Sequence, residues 1–267
     1  MYLEKNKSIA LFVGAGSVIN AWNPIIRALQ PDHFTDVLSM EGATSGLARL
    51  VYLMRWFSLN PGDALETTTQ IMKLTKNRIC EELKAAQEKN ELLAREEFHN
   101  IIDIVASSEC TRFLLVSTNW DTIIEDTINS SKKLKVFGKK INAAHIHGEY
   151  TDSRNLYLPS EIVEEPYRTR EEREYLGKMH SSVMQSLFDA EIMIIYGLSI
   201  SPLDAELSQI IGSALNSPKL KSVKIIDPNH KGVAERINLL VQYPNTKIIV
   251  EGLNPLNLTS SVDYSLK

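Results

Sequence analysis

Short apolar runs recur along the chain, and each ends in small or polar residues. The clearest of these runs occupy residues 9–13, 113–117 and 192–196, and two further stretches, 142–146 and 223–226, are mostly apolar. Unbroken apolar runs of this length are typical of strands that are buried on both faces of a sheet. Segments with helical spacing separate them. The pattern therefore predicts an α/β fold with a doubly wound parallel sheet and helices on both faces.

The remaining elements follow from periodicity and from helix-breaking residues. Pro24 predicts that the first helix begins at or just before this residue. Further helices are expected at 47–57, 64 to about 94, 98–105, 179–188, 205–215 and 232–241, with a weaker strand around 134–137 and a last strand at 246–250. No convincing strand is expected within 35–105. The segment 161–173 is rich in Glu and Arg and is expected to form exposed helix and loop.

The chain of 267 residues is long enough for one large domain. We predict a single domain over 1–267, with a helical insertion at about 35–108 and a variable segment at about 150–188. The insertion either covers the sheet or forms a small helical lobe.

Composition excludes several classes of protein. The net charge of −4 gives no electrostatic reason to expect nucleic-acid or membrane binding. No apolar run approaches the roughly 20 residues that span a bilayer. The first seven residues lead almost directly into the first strand, so no signal peptide and a cytoplasmic location are expected.

Cysteine usage argues against a structural metal site. Cys80 and Cys110 are the only two cysteines, and they lie far apart in the sequence. Structural zinc usually requires four Cys or His ligands in closely spaced pairs. We therefore predict two reduced thiols, no zinc module and no metal ligands.

The first apolar run ends in a glycine-rich turn at 14–17. Glycines allow the backbone to turn sharply and to approach a ligand closely. If a helix begins near Ser17, its N–H groups and its dipole favour a phosphate at this point. The alternative is a tight turn between a strand and a helix, with no ligand. The dinucleotide fingerprint of dehydrogenases requires a third glycine where Ile19 stands, so an ordinary hydride-transfer domain is disfavoured.

Polar clusters follow the apolar runs at equivalent positions, namely 14–17, 119–121, 147–148, 197–199 and 227–229. Ligands of open parallel sheets bind beyond the carboxyl ends of the strands. The five clusters are therefore expected to form one crevice that contains backbone donors, an amide, carboxylates and an imidazole.

In this order, the motifs Gly-Ala-Gly-Ser at 14–17, Thr-Asn-Trp-Asp at 118–121, His-Gly at 147–148 and Gly-Leu-Ser at 197–199 resemble the sirtuin superfamily. The resemblance spans about residues 9 to 230. It implies a Rossmann-like domain with a smaller module, and it implies NAD binding. The residues that it places on the NAD diphosphate are Gly14, Ala15, Gly16 and Ser17.

The resemblance also assigns the other side of the cofactor. Asn119 and Asp121 would face the nicotinamide and its ribose, and His147 would act as the general base. Gly197 and Ser199 would line the adenosine and phosphate side, and Asp227 would contact the adenine ribose.

The sequence departs from the protein deacylases of this superfamily. Thr118 stands where they have Gln, their four-cysteine zinc module is absent, and 151–173 does not resemble their peptide-docking segment. These differences favour the sirtuin-like proteins of bacterial anti-phage systems, which hydrolyse NAD. A deacylase that uses NAD, and a non-catalytic module that senses NAD or ADP-ribose, remain the alternatives.

Cleavage of the nicotinamide–ribose bond requires a site that stabilises a developing sugar cation and delivers water. Asn119 can orient the carboxamide or the water, and Asp121 can favour the developing charge. An imidazole at His147 can accept the proton. His145 is interpreted as a packing residue, and the alternative role for Ser199 and Asp204 is to cap a helix.

A hydrolase of so abundant a cofactor must be restrained. The sequence has no evident second sensor domain. We therefore expect regulation by homo-oligomerisation or by a separate protein, for example an ATPase encoded beside it.

Overall fold

The computed structural model describes residues 7–30, 39–60, 64–108, 110–134, 137, 140–241 and 248–266. A mostly parallel seven-stranded sheet has helices on both faces, which confirms the predicted Rossmann-like α/β class. The strands are β1 (Lys7–Val13), β2 (Val18–Ile19), β3 (Leu93–Ala94), β4 (Cys110–Ser117), β5 (Ala144–His145), β6 (Ile192–Tyr196), β7 (Ser222–Ile226), β8 (Ile249–Asn254) and β9 (Asn257–Tyr264). The helices are α1 (Asn23–Leu29), α2 (Met40–Ser58), α3 (Ala64–Glu88), α4 (Phe98–Ala106), α5 (Ile123–Ser131), α6 (Arg170–Leu187), α7 (Ala205–Leu215) and α8 (His230–Leu240).

The order of strands in the main sheet is β5-β4-β1-β6-β7-β8-β9, and only β9 pairs in the antiparallel sense. The chain runs outward from β1 to β5 and then returns to the other side of β1. The order therefore reverses between β1 and β6. Open sheets bind their ligands outside the strand ends at this kind of reversal.

Neighbouring strands end at the same level in the sheet. Val13, the last residue of β1, pairs with Ser117 on one side and with Tyr196 on the other. Ser117 pairs in turn with His145, and Tyr196 with Ile226. The register thus brings the polar segments that follow these strands to one edge of the sheet.

Alternation along β1 divides the core into two layers. Ile9, Leu11 and Val13 pack into the layer built with α1–α5, while Ala10 and Phe12 pack into the layer built with α6–α8. Buried residues of α2, α3 and α4 belong to the first layer. The helices between β1 and β4 therefore cover one face of the sheet. The predicted single-domain organisation and the bounds of the variable segment stay predictions.

Several helix bounds agree with the periodicity of the sequence. Helix α1 begins at Asn23 with a proline in its first turn, as Pro24 predicts, and α7 matches the expected 205–215. A short 3₁₀ turn at Ala15–Ser17 and the strand β2 precede α1. Phosphate binding by the N-terminus of a helix would require an α-helix to begin near Ser17. Helix α1 begins later, so this requirement is not met.

Strands β3 and β9 were not predicted. The helix expected to reach about residue 94 ends at Glu88, and β3 follows at Leu93–Ala94, inside the range where no strand was expected. It pairs with β2 in a separate two-stranded sheet. Strand β9 has no fully buried position, so it lacks the apolar run by which the other strands were identified. Its pairing with β8 depends on backbone hydrogen bonds at the edge of the sheet.

The prediction that 161–173 is exposed is wrong for its charged residues nearest the core. Glu161, Glu165 and Arg168 are buried. Lys76, on the helix whose charges were expected to be solvated, is buried as well. Burial of these charges is tolerated because each is paired: Glu161 pairs with Lys76 and Arg168, and Glu165 pairs with Arg55.

Two expectations reach outside the described residues. The weaker strand at 134–137 does so in part, and so does the start of the helical insertion near 35. Within the described part of the chain, no helix combines the length and the apolar character needed to cross a bilayer.

Candidate functional site

A cleft of about 650 Å³ opens at the carboxyl edge of the sheet, at the reversal of strand order. Its walls come from the segments after β1, β4, β5, β6 and β7, together with the start of α2 and residues 157–159. The predicted site residues that line it are Ala15, Gly16, Asn119, Asp121, His147, Gly197, Ser199 and Asp227. The fold thus brings most of the predicted site into one cavity.

The glycines after β1 and β6 allow the two loops to interlock. A Cβ at Gly197, whose φ is +58°, would lie 2.4 Å from Ser17 N, and one at Gly16 would lie 2.8 Å from Gly197 O. A Cβ at Gly14 would lie 2.7 Å from the same carbonyl oxygen. The N–H of Gly16 donates to Gly197 O at 2.9 Å. Close contact between loop backbones is therefore what these glycines provide in the structure.

Gly14 and Ser17 lie behind the cleft wall and are not among the described residues that line it. Ser17 is buried, and its hydroxyl donates to Gly14 O at 2.7 Å. The Ser17 N–H donates to the same oxygen at 2.8 Å, and the Gly14 N–H donates to Tyr196 O at 3.1 Å. These groups hold the turn together, and Ala15 and Gly16 present it to the cleft.

Asn119 follows β4 and is 5% exposed, at the wall of the cleft. Its Nδ2 donates to the Ser17 hydroxyl at 3.4 Å, and its backbone N–H donates to the Ser117 hydroxyl at 3.1 Å. Its Oδ1 is buried without a hydrogen-bond partner among the described residues. A buried acceptor without a donor is costly, so this oxygen is suited to a donor on a ligand.

Asp121 is buried two residues further on, in the segment that leads into α5. One carboxylate oxygen, Oδ1, accepts the Ile123 N–H at 3.1 Å. Burial raises the pKa of Asp121 to about 6, although the Ile123 N–H and His145 act in the opposite direction. The cleft therefore contains a carboxyl group that changes charge near neutral pH.

His147 follows β5, and its imidazole faces the carboxylate of Asp204, the residue that precedes α7. Its Nε2 lies 3.0 Å from Oδ2 of Asp204, without the alignment of a hydrogen bond, and its Nδ1 lies 3.3 Å from Thr118 O. Burial alone would lower the pKa of His147, but Asp204 and the Thr118 carbonyl outweigh burial and raise it. The imidazole thus has a fixed orientation and a negative neighbour.

From the sequence, Asp204 was expected only as a candidate helix cap. It does cap α7, because its Oδ1 accepts the Leu207 N–H at 3.1 Å. Its second oxygen is the one that faces His147. Burial raises the pKa of Asp204, but the attraction of His147 and the Leu207 N–H outweigh burial and lower it. A cap signal in the sequence could not reveal the second role.

The ring of Tyr157 forms another wall that sequence reasoning missed. It stacks on the imidazole of His147, with the ring centres 5.6 Å apart and the planes 11° apart. The preceding carbonyl, Leu156 O, accepts from Lys76 Nζ at 2.7 Å and from Arg168 Nη2 at 3.0 Å. Buried charges thus anchor the backbone segment that carries this ring.

Asp227, Ser199 and Arg236 also line the cleft. Asp227 follows β7, and its Oδ1 accepts the Asn229 N–H at 2.7 Å. Burial raises its pKa despite that hydrogen bond. Arg236, on α8, donates to the Ser199 carbonyl. It is a cation in the wall of the cleft that the sequence did not single out.

The side chain of His145 does more than pack. Its Nδ1 lies 2.8 Å from Asn119 O, and its Nε2 lies 2.8 Å from Glu125 Oε1. The side chain therefore ties β5 to the segment that carries Asn119 and to the first turn of α5.

No protein-family model, curated protein or solved structure matched the chain. The functional assignment therefore rests on the residues of the cleft and on the resemblance in the sequence.

Proposed function

We propose that this protein hydrolyses NAD to nicotinamide and ADP-ribose. The observation that carries the proposal is the convergence of Asn119 and the His147–Asp204 pair in one cleft at the reversal of strand order. The cleft volume of about 650 Å³ lies in the usual range for cofactor-sized ligands, about 300–1,000 Å³.

Each residue has a role in the proposed reaction. The bond to nicotinamide breaks as positive charge develops on the ribose, and the leaving group departs neutral because it begins as a cation. The unpartnered Oδ1 of Asn119 accepts a hydrogen bond from the carboxamide or from the attacking water. Asp121 in its ionised form stabilises the sugar cation.

His147 accepts the proton from water or from a ribose hydroxyl, and Asp204 stabilises the imidazolium that results. The cofactor lies with its diphosphate beside Ala15 and Gly16 and its adenine ribose beside Asp227. Arg236 offsets part of the diphosphate charge. NAD is thus the substrate rather than a retained cofactor.

Deacylation of proteins is the less favoured alternative. The chain has two cysteines in total, and both are buried and unpaired, so it cannot form a four-cysteine zinc module. A non-catalytic NAD sensor would share the glycine turn, but it would not require the His147–Asp204 pair.

The deciding experiment measures nicotinamide release from NAD, together with NAD affinity, for the purified wild type and for Asn119→Ala and His147→Ala. His99→Ala is a matched control, since His99 is exposed on α4. We expect release by the wild type and by the control. His147→Ala should lose at least about 100-fold, the usual contribution of a positioned base. Asn119→Ala should lose about 100-fold as well, because misplacement of the reacting groups costs about that factor.

The other outcomes are equally informative. Release that required an acylated peptide would favour deacylation. NAD binding without release would leave two options, a sensor or an enzyme that waits for its partner, and addition of candidate partners would separate them. A chain that neither binds nor cleaves NAD would overturn the proposal.

We further propose that the protein is a regulated effector of bacterial anti-phage defence that acts in the cytoplasm by depleting NAD. Restraint would come from assembly of several copies or from a separate protein such as an ATPase. Gel filtration combined with the release assay tests this idea, and a fully active monomer that needs no trigger would contradict it.

A further inference from the structure

A second cluster of ligand-type side chains lies outside the cleft. Glu125, His145 and Glu149 each offer one nitrogen or oxygen atom, and these atoms all lie within 4.8 Å of one another. Glu125 is in the first turn of α5, His145 ends β5, and Glu149 lies in the turn after Gly148. Pairing of β5 with β4 brings these distant positions together.

The hydrogen bonds of His145 orient it as a ligand. The backbone oxygen of Asn119 can only accept, so the Nδ1 of His145, 2.8 Å away, carries a proton. The other nitrogen, Nε2, faces the carboxylate of Glu125 at 2.8 Å. A lone pair on Nε2 would be repelled by that oxygen, so a positive centre must lie between them, either a proton or a metal ion. Metal-binding histidines commonly donate their other N–H to a backbone carbonyl in this way.

The second oxygen of Glu125 is an independent indication. Glu125 is 7% exposed, and its Oε2 is buried without a hydrogen-bond partner among the described residues. A carboxylate oxygen buried without a partner is destabilising. A cation bound by Glu125 and His145 would satisfy it.

A cavity of about 220 Å³ beside the cluster is lined by His145, Glu149 and Asp152, whereas Glu125 is not among its lining residues. The cavity gives an ion and water access to the cluster from the side of His145 and Glu149. Glu149 is half-buried, and one of its oxygens accepts the Thr151 hydroxyl at 2.9 Å. This hydrogen bond helps to fix the orientation of the carboxylate, as hydrogen bonds to metal-binding carboxylates commonly do.

From this arrangement we propose that Glu125, His145 and Glu149 bind a divalent transition-metal ion of the Mn²⁺ or Zn²⁺ class, with water completing the coordination. Two carboxylates and one imidazole suit these ions, whereas Mg²⁺ and Ca²⁺ prefer ligand sets made of oxygen alone. The expectation of no metal ligands rests on the lack of closely spaced Cys and His pairs. The ligands proposed here are 20 and four residues apart, a spacing to which that criterion does not apply.

The proposed ion would lie outside the cleft, but one of its ligands contacts the backbone of a cleft residue. His145 holds the backbone of Asn119 and precedes His147 by two residues. Metal binding is therefore expected to stabilise the segments that carry these two residues. The inference does not depend on NAD hydrolysis.

Isothermal titration calorimetry tests the proposal on chelator-treated, tag-free protein, with Mn²⁺, Zn²⁺ and Mg²⁺ as separate probes. We expect one Mn²⁺ or Zn²⁺ per chain, at least tenfold weaker binding of Mg²⁺, and a melting temperature that rises with the bound ion. Glu149→Gln should weaken binding at least tenfold and abolish that rise. This variant keeps the His145–Glu125 contact, so it separates a metal site from a simple ion pair.

Two further variants sharpen the test. Glu125→Gln should weaken binding as Glu149→Gln does. Asp152→Asn alters the same cavity without removing a ligand, so it should leave affinity within twofold. Absence of binding up to millimolar metal would overturn the proposal, and so would stoichiometric binding that persists unchanged in Glu125→Gln and Glu149→Gln.

Discussion

Replacement of Glu161 by Gln tests whether buried charges hold one wall of the cleft. The Glu161 side chain is fully buried and accepts from Lys76 Nζ at 2.8 Å and from Arg168 Nη2 at 2.6 Å. It also accepts the Leu158 N–H at 2.6 Å and the Tyr167 hydroxyl at 3.1 Å. Burial alone would raise the pKa of Glu161, but the two cations lower it, so the group is ionised at neutral pH.

The expected magnitude follows from these contacts. Gln is close in shape to Glu but removes the negative charge, which leaves Lys76 and Arg168 buried without their anion. Removal of one partner from a buried ion pair typically costs about 3–5 kcal/mol. For a chain of this size, each kcal/mol lowers the melting temperature by about 2–4 °C. We therefore expect Glu161→Gln to melt about 6–20 °C below the wild type.

Differential scanning calorimetry at pH 7 measures this shift. Glu174→Gln is the matched control, because Glu174 pairs with Arg170 at 2.8 Å on the exposed face of α6. Exposed pairs of this kind contribute about 0.5 kcal/mol or less. A Glu161→Gln variant that melts as the control does would refute the reasoning that this network stabilises the wall.

Two further predictions concern the cleft itself. Gly197→Ala should lower both the melting temperature and the NAD affinity, because its Cβ would lie 2.4 Å from Ser17 N. Gly177→Ala is the control, since Gly177 has open space around it in α6. Calorimetry should show this variant to be as stable as the wild type or slightly more stable. In Asp204→Asn the pKa of His147 should fall, since burial then meets less opposition. Because the base must be neutral, the pH profile of nicotinamide release should rise at lower pH than in the wild type. An unchanged profile would contradict the pairing of Asp204 with His147.

The sequence was sufficient to predict the α/β class because strands buried on both faces leave unbroken apolar runs. The same runs located β1, β4, β6 and β7, and Pro24 located the start of α1. Strand β9 escaped prediction because an exposed edge strand has no apolar pattern.

The residues of the candidate site also fall into a group that could be predicted and a group that could not. Asn119, Asp121 and His147 follow strands directly, so their common position could be inferred from the ends of parallel strands. Tyr157 and Asp204 lie within loops, and a loop residue acquires its neighbours from packing that no local pattern records.

The pairing of buried charges in the core could not be predicted from local sequence either. Lys76 and Glu161 are 85 residues apart, and each looks like an ordinary surface residue in its own segment. Local sequence sets the class of fold and the edge of the sheet at which the polar segments meet, because periodicity and strand direction are local properties. Tertiary structure decides which charges meet, since the pairing that makes burial tolerable forms only when distant segments pack together.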